Sequence, residues 1–135
     1  PVRADDRFYW NGDATLPKAL EDVDEVNEDG NPIYVQELDN SDPLNPVMVD
    51  TDEQLVARGL KYTWKAQVKD TAGKMLAQTD WMVIRKAERD VAIPSATVTQ
   101  RAAIITECAR LETAITAAAD MDAFITVVQD QRWPE

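Results

Sequence analysis

The chain has 135 residues, of which 14 are Lys or Arg and 25 are Asp or Glu, with one Cys and no His. A length of this order supports one domain around a single core. The absence of His excludes imidazole-based catalysis and His-containing zinc sites, and the single Cys108 excludes an internal disulfide.

The first 60 residues carry all of the net charge. They contain four basic and fifteen acidic residues, a net charge of −11, whereas residues 61–135 contain ten of each. An acidic segment repels a phosphate backbone, so we expect no binding to nucleic acid. Apolar runs reach only about four residues, against the roughly twenty that a bilayer span needs, so we expect no membrane helix. With no signal-peptide pattern at the start, we expect synthesis in a reducing cytoplasm.

Residues 1–50 are predicted to form an acidic attachment region of short strands and loops. Five of the seven prolines lie in this region, and they disfavour long helices. Aromatic and β-branched residues predict strands over residues 7–10, 33–38 and 47–49. A short hairpin is marginally stable alone in water, so we expect these strands to need cover from the helices or from another chain.

Two alternative hypotheses attach chemistry to this region. Aligning Gly30 with the glycine of an EF-hand loop puts three oxygen-bearing side chains between residues 25 and 29 at ligand positions, but Gln36 stands where a bidentate Glu is needed. An acidic-loop calcium-binding module stays an alternative to a solvated loop that meets a basic partner. A free amine on Pro1 suits a tautomerase general base, but the polar residues after it lack the alternation of a buried strand.

Residues 51–135 are predicted to form a helical domain. The sequence Thr-Asp-Glu-Gln that starts at Thr51 fits a capping box, so the first helix is predicted to begin there. Apolar residues recur every four positions from Val56 to Leu76 and predict its buried stripe. Another face carries three lysines, which either stay solvated or receive the acidic region or a neighbouring subunit: Lys61, Lys65 and Lys69.

Three further helices are predicted from caps and spacing. A short one follows Thr79-Asp80 and ends before Pro94, a long one covers residues 95–119, and a last one is capped by Asp120. The long helix has the spacing of a helix-packing seam at Ile104, Cys108, Leu111, Ile115 and Ala118. The expected fold class is therefore α+β, with short strands followed by a helical hairpin or a bundle of three or four helices.

No catalytic, cofactor-binding or metal-ligating residue is predicted, and no cofactor is expected. Cys108 lies in the seam without a motif that would lower its thiol pKa, so we interpret it as core filler. Tryptophans serve either as core anchors or as interface anchors. The residues predicted to pack helices or to form an interface are Trp64, Trp81, Ile104, Cys108, Leu111, Ile115 and Trp133.

One ordered set of residues resembles a known family. The segment from Met75 to Arg89 contains Leu-Ala-Gln-Thr-Asp-Trp and a following Arg, and after it come Ile93-Pro94, the Arg101-Ala102-Ala103-Ile104-Ile105 helix and a closing Trp133-Pro134. Together they resemble a C-terminal module of tailed-bacteriophage tail proteins, which has Leu-x-x-Thr-Asp-Trp, an Arg, a helix started by Pro and a final Trp-Pro. The resemblance covers about residues 70–135.

This resemblance implies a role in the virion or in its assembly, because the module occurs in tail-fibre, baseplate-associated and tail-fibre-assembly proteins. The resemblance implies no catalytic residues in this chain. We expect a non-enzymatic structural component of the tail, located in the virion, with other tail proteins and further copies of itself as partners. The alternatives are a tail-fibre assembly chaperone that is not retained in the virion and the calcium-binding module.

Overall fold

A computed structural model describes residues 2–135, a range that leaves the Pro1 hypothesis outside the described residues. It confirms the α+β fold class: four short strands form two antiparallel sheets, and four helices follow. The strands are β1 (Val23–Asp24), β2 (Tyr34–Asp39), β3 (Val47–Gln54) and β4 (Val56–Ala57), and the helices are α1 (Leu60–Ala77), α2 (Asp80–Arg89), α3 (Ser95–Ala117) and α4 (Met121–Gln129).

An aromatic cluster forms the centre of the core. The ring of Phe8 stacks on Trp64 of α1 with 5.7 Å between centroids, and Phe124 of α4 packs edge-on against both rings. Such pairs stabilise a fold beyond their area of buried surface, by about 0.5–1.5 kcal/mol each. The buried cluster is completed by Leu60, Val68, Leu111, Ile115, Ala118 and Val128.

Helices α1 and α3 pack antiparallel, and Leu111, Ile115 and Ala118 of the predicted seam lie in the core cluster. Lys69 of α1 faces Glu112 of α3, and the Leu76 carbonyl at the end of α1 faces Arg101. The core occupies the half of this hairpin near α4. The other half consists of the end of α1 and the start of α3, and we call it the distal half. Its buried apolar residues are Ala72 and Ile104. The distal half therefore keeps much of its apolar surface in contact with solvent.

The predictions for the last three helices are confirmed, with ends that differ by at most a few residues. Helix α2 ends at a left-handed residue, Asp90, whose N–H donates to the Lys86 carbonyl. Helix α3 begins directly after Pro94. The Asp120 side chain accepts a hydrogen bond from the Ala123 N–H at 2.8 Å, as expected of the residue that caps α4.

The strand predicted over residues 7–10 is wrong. The N–H groups of Phe8 and Tyr9 both donate to the Asp5 carbonyl, which closes a turn, and a short 3₁₀ helix covers Trp10–Gly12. Asn11 and Gly12 have positive φ angles of 55° and 66°, which a continuing strand does not tolerate. The turn directs Phe8 into the core. The predicted strands over residues 33–38 and 47–49 are confirmed as parts of β2 and β3.

The predicted start of the first helix at Thr51 is also wrong. Residues 51–54 continue β3, and their side chains bind backbone carbonyls of other segments: the Thr51 hydroxyl donates to Val35 of β2 at 2.8 Å, and Gln54 Nε2 donates to Glu25, which follows β1, at 3.0 Å. Polar side chains that suit a helix cap are thus used to crosslink a sheet. The strand region reaches Ala57, so strands give way to helix at residues 58–59 and not at residue 50.

The N-terminus of α1 is capped by backbone from the preceding region. The N–H groups of Leu60 and Lys61 have no partner within the helix, and they donate to the carbonyls of Ala19 and Leu20 at 2.9 and 3.1 Å. The Gly59 N–H donates to Asp22 Oδ1 at 2.8 Å, and this bond lowers the pKa of the Asp22 carboxyl. The loop over residues 19–22 therefore fits closely against the helix end.

This fit predicts opposite effects of one added methyl group at two glycines. A Cβ at Gly59 would overlap the carbonyl oxygens of Leu20 and Glu21, whereas a Cβ at Gly73, inside α1, meets no atom within 4 Å. Gly59→Ala is expected to lower the free energy of unfolding by roughly 1–3 kcal/mol, as overpacking does. Gly73→Ala is expected to raise it by up to about 1 kcal/mol. Urea unfolding followed by circular dichroism measures both, and equal effects would contradict the capping arrangement.

Candidate functional site

The structure uses most of the predicted packing or interface residues for packing. Trp64, Ile104, Leu111 and Ile115 are buried, and Cys108 and Trp133 are half-buried against the core cluster. Trp81 differs from all of these, since 52% of its surface is exposed. Sequence spacing alone did not separate this tryptophan from the others.

Helix α2 has one apolar side that the rest of the chain leaves open. None of its residues is buried, and Ile84, one turn after Trp81, is 56% exposed. The Arg85 guanidinium lies over the Trp81 indole, 4.7 Å from the ring centroid. Such a contact restricts the indole without covering it. An ordered, half-exposed tryptophan is the type of side chain that anchors protein interfaces.

Arg101 fastens the start of α2 to α3. Its Nη1 donates to the Leu76 carbonyl at 2.9 Å and to the Thr79 hydroxyl at 2.7 Å, and its Nη2 donates to Asp80 Oδ1 at 3.0 Å. The guanidinium thereby satisfies a carbonyl at the end of α1 and holds the Thr-Asp pair that precedes Trp81. Sequence analysis did not identify this role, because the partners of Arg101 lie 21 to 25 residues before it.

Helix α3 adds further exposed apolar surface. Val98 and Ile105 lie two turns apart and are each more than half exposed. Next to Ile105, an apolar groove of about 250 Å³ runs between α1 and α3, lined by Ala72, Leu76, Ile105, Cys108, Ala109 and Glu112. We call the exposed apolar pair of α2, Trp81 and Ile84, the helical tip surface.

The buried Glu107 holds the end of the chain. Its carboxylate accepts two hydrogen bonds from Arg110 at 2.6 and 2.7 Å and one from the Arg132 N–H. The pKa of Glu107 lies below its ordinary value, chiefly because the Arg110 guanidinium binds the carboxylate and also because the Arg132 N–H donates to it. This pairing fixes the segment that carries Trp133. The signal in the sequence was a charged residue, Glu107, directly before Cys108 of the apolar seam, and the sequence analysis did not use it.

Of the three lysines on one face of α1, Lys61 contacts the acidic region, one of the possibilities that the sequence left open. Lys61 is buried, and its Nζ donates to Glu21 Oε1 at 2.6 Å and to the Thr116 carbonyl at 3.1 Å. One ammonium group thus joins the N-terminal region, α1 and α3. The other lysines of this face are more open, with Lys69 at 3.5 Å from Glu112.

Carboxylate clusters and the Cys108 thiol are the chemical groups that the sequence singled out. Between residues 2 and 135, no three His, Cys, Asp or Glu side chains are grouped so that they could hold a metal ion. Burial raises the pKa of the Cys108 thiol, which disfavours the reactive thiolate. Within the same range, no helix is long and apolar enough to cross a membrane. The arrangement of exposed apolar side chains instead suits contact with another protein.

The comparisons with known proteins add no relative. No family model matches the chain, and neither a curated protein nor a solved structure matches it at a significant level.

The Glu107 pairing predicts how stability depends on pH. A carboxylate whose pKa is lower in the folded chain stabilises the fold above its unfolded pKa, and this contribution is lost as the pH falls through the folded value. Glu107→Gln is expected to lower the free energy of unfolding by roughly 1.5–3 kcal/mol at neutral pH. The difference from the unchanged protein should shrink in acid, below the ordinary value of 4.5.

Urea unfolding at a series of pH values measures this difference. Glu88→Gln is the matched control, because Glu88 is exposed on α2, and its effect should stay within about 0.5 kcal/mol. A Glu107 difference that is constant from neutral to acid pH would contradict the role of its charge.

Proposed function

We propose that this chain is a structural component of a bacteriophage tail, tail-fibre or baseplate associated, that acts by assembly with other tail proteins and catalyses no reaction. The observation that carries the assembly role is its accessible surface of 9554 Å². A compact monomer of 15.1 kDa has about 7,100 Å². The excess of about 2,500 Å² exceeds the roughly 800 Å² that each partner contributes to a standard interface.

The assignment to a phage tail comes from the resemblance of residues 70–135 to the tail-protein module. The local structure gives the residues of that resemblance physical roles that support it. Arg101 binds the Thr79-Asp80 pair, which sets Trp81 at the surface, and Glu107 holds the backbone next to Trp133. Residues that are far apart in the ordered set thus act together, as expected if the set is one structural unit.

Copies of the chain are proposed to meet through the helical tip surface. Residues 61–135 have equal numbers of acidic and basic residues, ten of each, so two helical domains approach without net repulsion. The N-terminal 60 residues carry the net charge of −11, and like-charged surfaces of this kind keep apart. The apolar and neutral end of the molecule is therefore the favoured place for self-association.

A tail-fibre assembly chaperone is the alternative, and it differs in whether the protein stays in the particle. Mass spectrometry of purified particles is expected to find the chain at several copies per tail. Its presence in infected cells together with its absence from the particles would favour the chaperone. Its absence from both would refute a role in the phage.

Self-association is expected to depend on Trp81 and Ile84. Both side chains are more than half exposed, so the double variant Trp81→Ser, Ile84→Ser should keep the fold and lose an apolar contact. Light scattering should show an oligomer for the unchanged chain and a monomer for the variant. Added salt should not dissociate the oligomer, because apolar contacts are not screened.

Trp10→Ser is the matched control, since Trp10 is also exposed but lies in the N-terminal region. An unchanged chain that stays monomeric at high concentration, or a Trp10 variant that dissociates equally, would contradict the helical tip surface as the site of self-association.

A further inference from the structure

Residues 21–57 form a two-stranded ribbon that contacts the start of α1 at its base, through Glu21 and Asp22, and leaves its side chains without full burial. Strand β2 pairs with β3, and β1 pairs with β4 at the base. No side chain between residues 21 and 57 is buried, and we call this segment the acidic ribbon. An isolated two-stranded ribbon is marginally stable in water and gains stability when its apolar side is covered.

One face of the ribbon carries an exposed apolar pair next to the polar pair Gln36 and Asp50. Leu38 and Met48 lie directly opposite each other on β2 and β3 and are 54% and 56% exposed. Tyr34, which is 37% exposed, pairs with Gln54 beyond a register shift that separates it from the regular pairs. At the tip, Leu44 stands between two prolines and is 96% exposed. Exposed apolar side chains at opposed positions of two strands suit the centre of a protein interface.

The charge of the ribbon identifies the kind of partner. Residues 21–57 contain twelve acidic and no basic residues, and the rest of the chain contains thirteen acidic and fourteen basic ones. Asp50 lies beside the apolar pair on the same face, whereas Glu37 and Asp39, the sequence neighbours of Leu38, point to the opposite face, so that both faces of the ribbon are negatively charged. A surface that fits this face needs an apolar patch surrounded by Lys or Arg.

A second copy of the chain does not meet this requirement at the ribbon. Both strands have free edges, and proteins prevent such edges from pairing with each other by means of charge. Two ribbons in contact would bring their twelve acidic residues against one another, which opposes association. Nucleic acid is excluded as a partner for the same electrostatic reason.

From these observations we infer that the Leu38–Met48 face of the acidic ribbon is a docking surface for a different protein, whose matching surface is an apolar patch rimmed by Lys and Arg. The ribbon gains cover for its exposed side chains, and the partner's cations relieve the repulsion among the carboxylates. The chemistry of the partner follows from the ribbon alone and does not depend on the assignment of the chain to a phage tail.

Site-specific photo-crosslinking tests the inference. A photoreactive phenylalanine derivative replaces Met48 in the full chain, produced in the cells that naturally make it, and a second chain carries the same group at Thr126. Both side chains are exposed, and Thr126 lies on α4, away from the ribbon. After irradiation, mass spectrometry identifies the crosslinked peptide and its sequence.

The expected product at Met48 is one heterologous protein, crosslinked through a segment of net positive charge, and absent from the Thr126 chain. A product that joins two copies of this chain, a partner segment that is neutral or acidic, or no product beyond that of the Thr126 chain would each overturn the inference. If the partner meets these criteria but particles lack the chain, the tail assignment fails while the docking surface stands.

Charge neutralisation provides a second readout on the identified partner, purified. The triple variant Glu37→Gln, Asp50→Asn, Asp52→Asn keeps the shape of the ribbon, because an Asn at residue 50 still accepts from Gln36. Its affinity should be roughly tenfold weaker, with a smaller dependence on salt, since rim charges each contribute modestly and are screened.

The matched control neutralises three exposed carboxylates of the helices, in the variant Asp70→Asn, Glu88→Gln, Asp122→Asn. It should bind as the unchanged chain does. Equal weakening by both variants would show that net charge and not the ribbon drives binding, and would overturn the assignment of the surface.

Discussion

The stack of Phe8 on Trp64, closed by the edge of Phe124, is the contact on which the rest of the structure depends. It joins an N-terminal turn, α1 and α4, three segments that are far apart in sequence. Among residues 2–58, Phe8 alone is buried. Because its ring anchors the N-terminal region to the helices, the carbonyls of Ala19 and Leu20 stand where they cap α1. The buried Lys61 then joins this region to α3.

A core gathered at one end of the molecule determines which surfaces remain open. The aromatic cluster covers the half of the α1–α3 hairpin near α4, so the distal half, α2 and the strands lie outside it. In those parts of the molecule little apolar surface is buried, and hydrogen bonds of polar side chains hold the segments in place. Arg101 holds the start of α2, and the strands are linked by side chains such as Thr51 and Gln54. The result is a set of ordered but uncovered apolar side chains, which suits assembly with other proteins.

The helices were predictable because their signals are local. The spacing of Ile104, Leu111 and Ile115 and the cap at Asp120 lie within a few turns, and the structure confirms them. The first helix was misplaced because a distant residue decides there: Thr51 satisfies a carbonyl 16 residues away and not a helix end. The strand at residues 7–10 was wrong for a local reason, since a turn closed at Asp5 and the positive φ angles of Asn11 and Gly12 interrupt it. Exposure of Trp81 depends on how far the core extends, which spacing does not encode.

The two proposed surfaces lie on parts of the chain that differ in charge: the helical tip surface lies on the neutral helices, and the docking surface lies on the acidic ribbon. If copies associate through their neutral helices, each oligomer carries several ribbons, each with twelve acidic residues and no basic one. Charges interact over about 8 Å at physiological salt, so neighbouring ribbons within that distance repel one another. A basic partner that docks on the ribbons removes this repulsion and thereby favours the oligomer. Partner binding and self-association would then strengthen each other, because linkage between two binding equilibria is reciprocal.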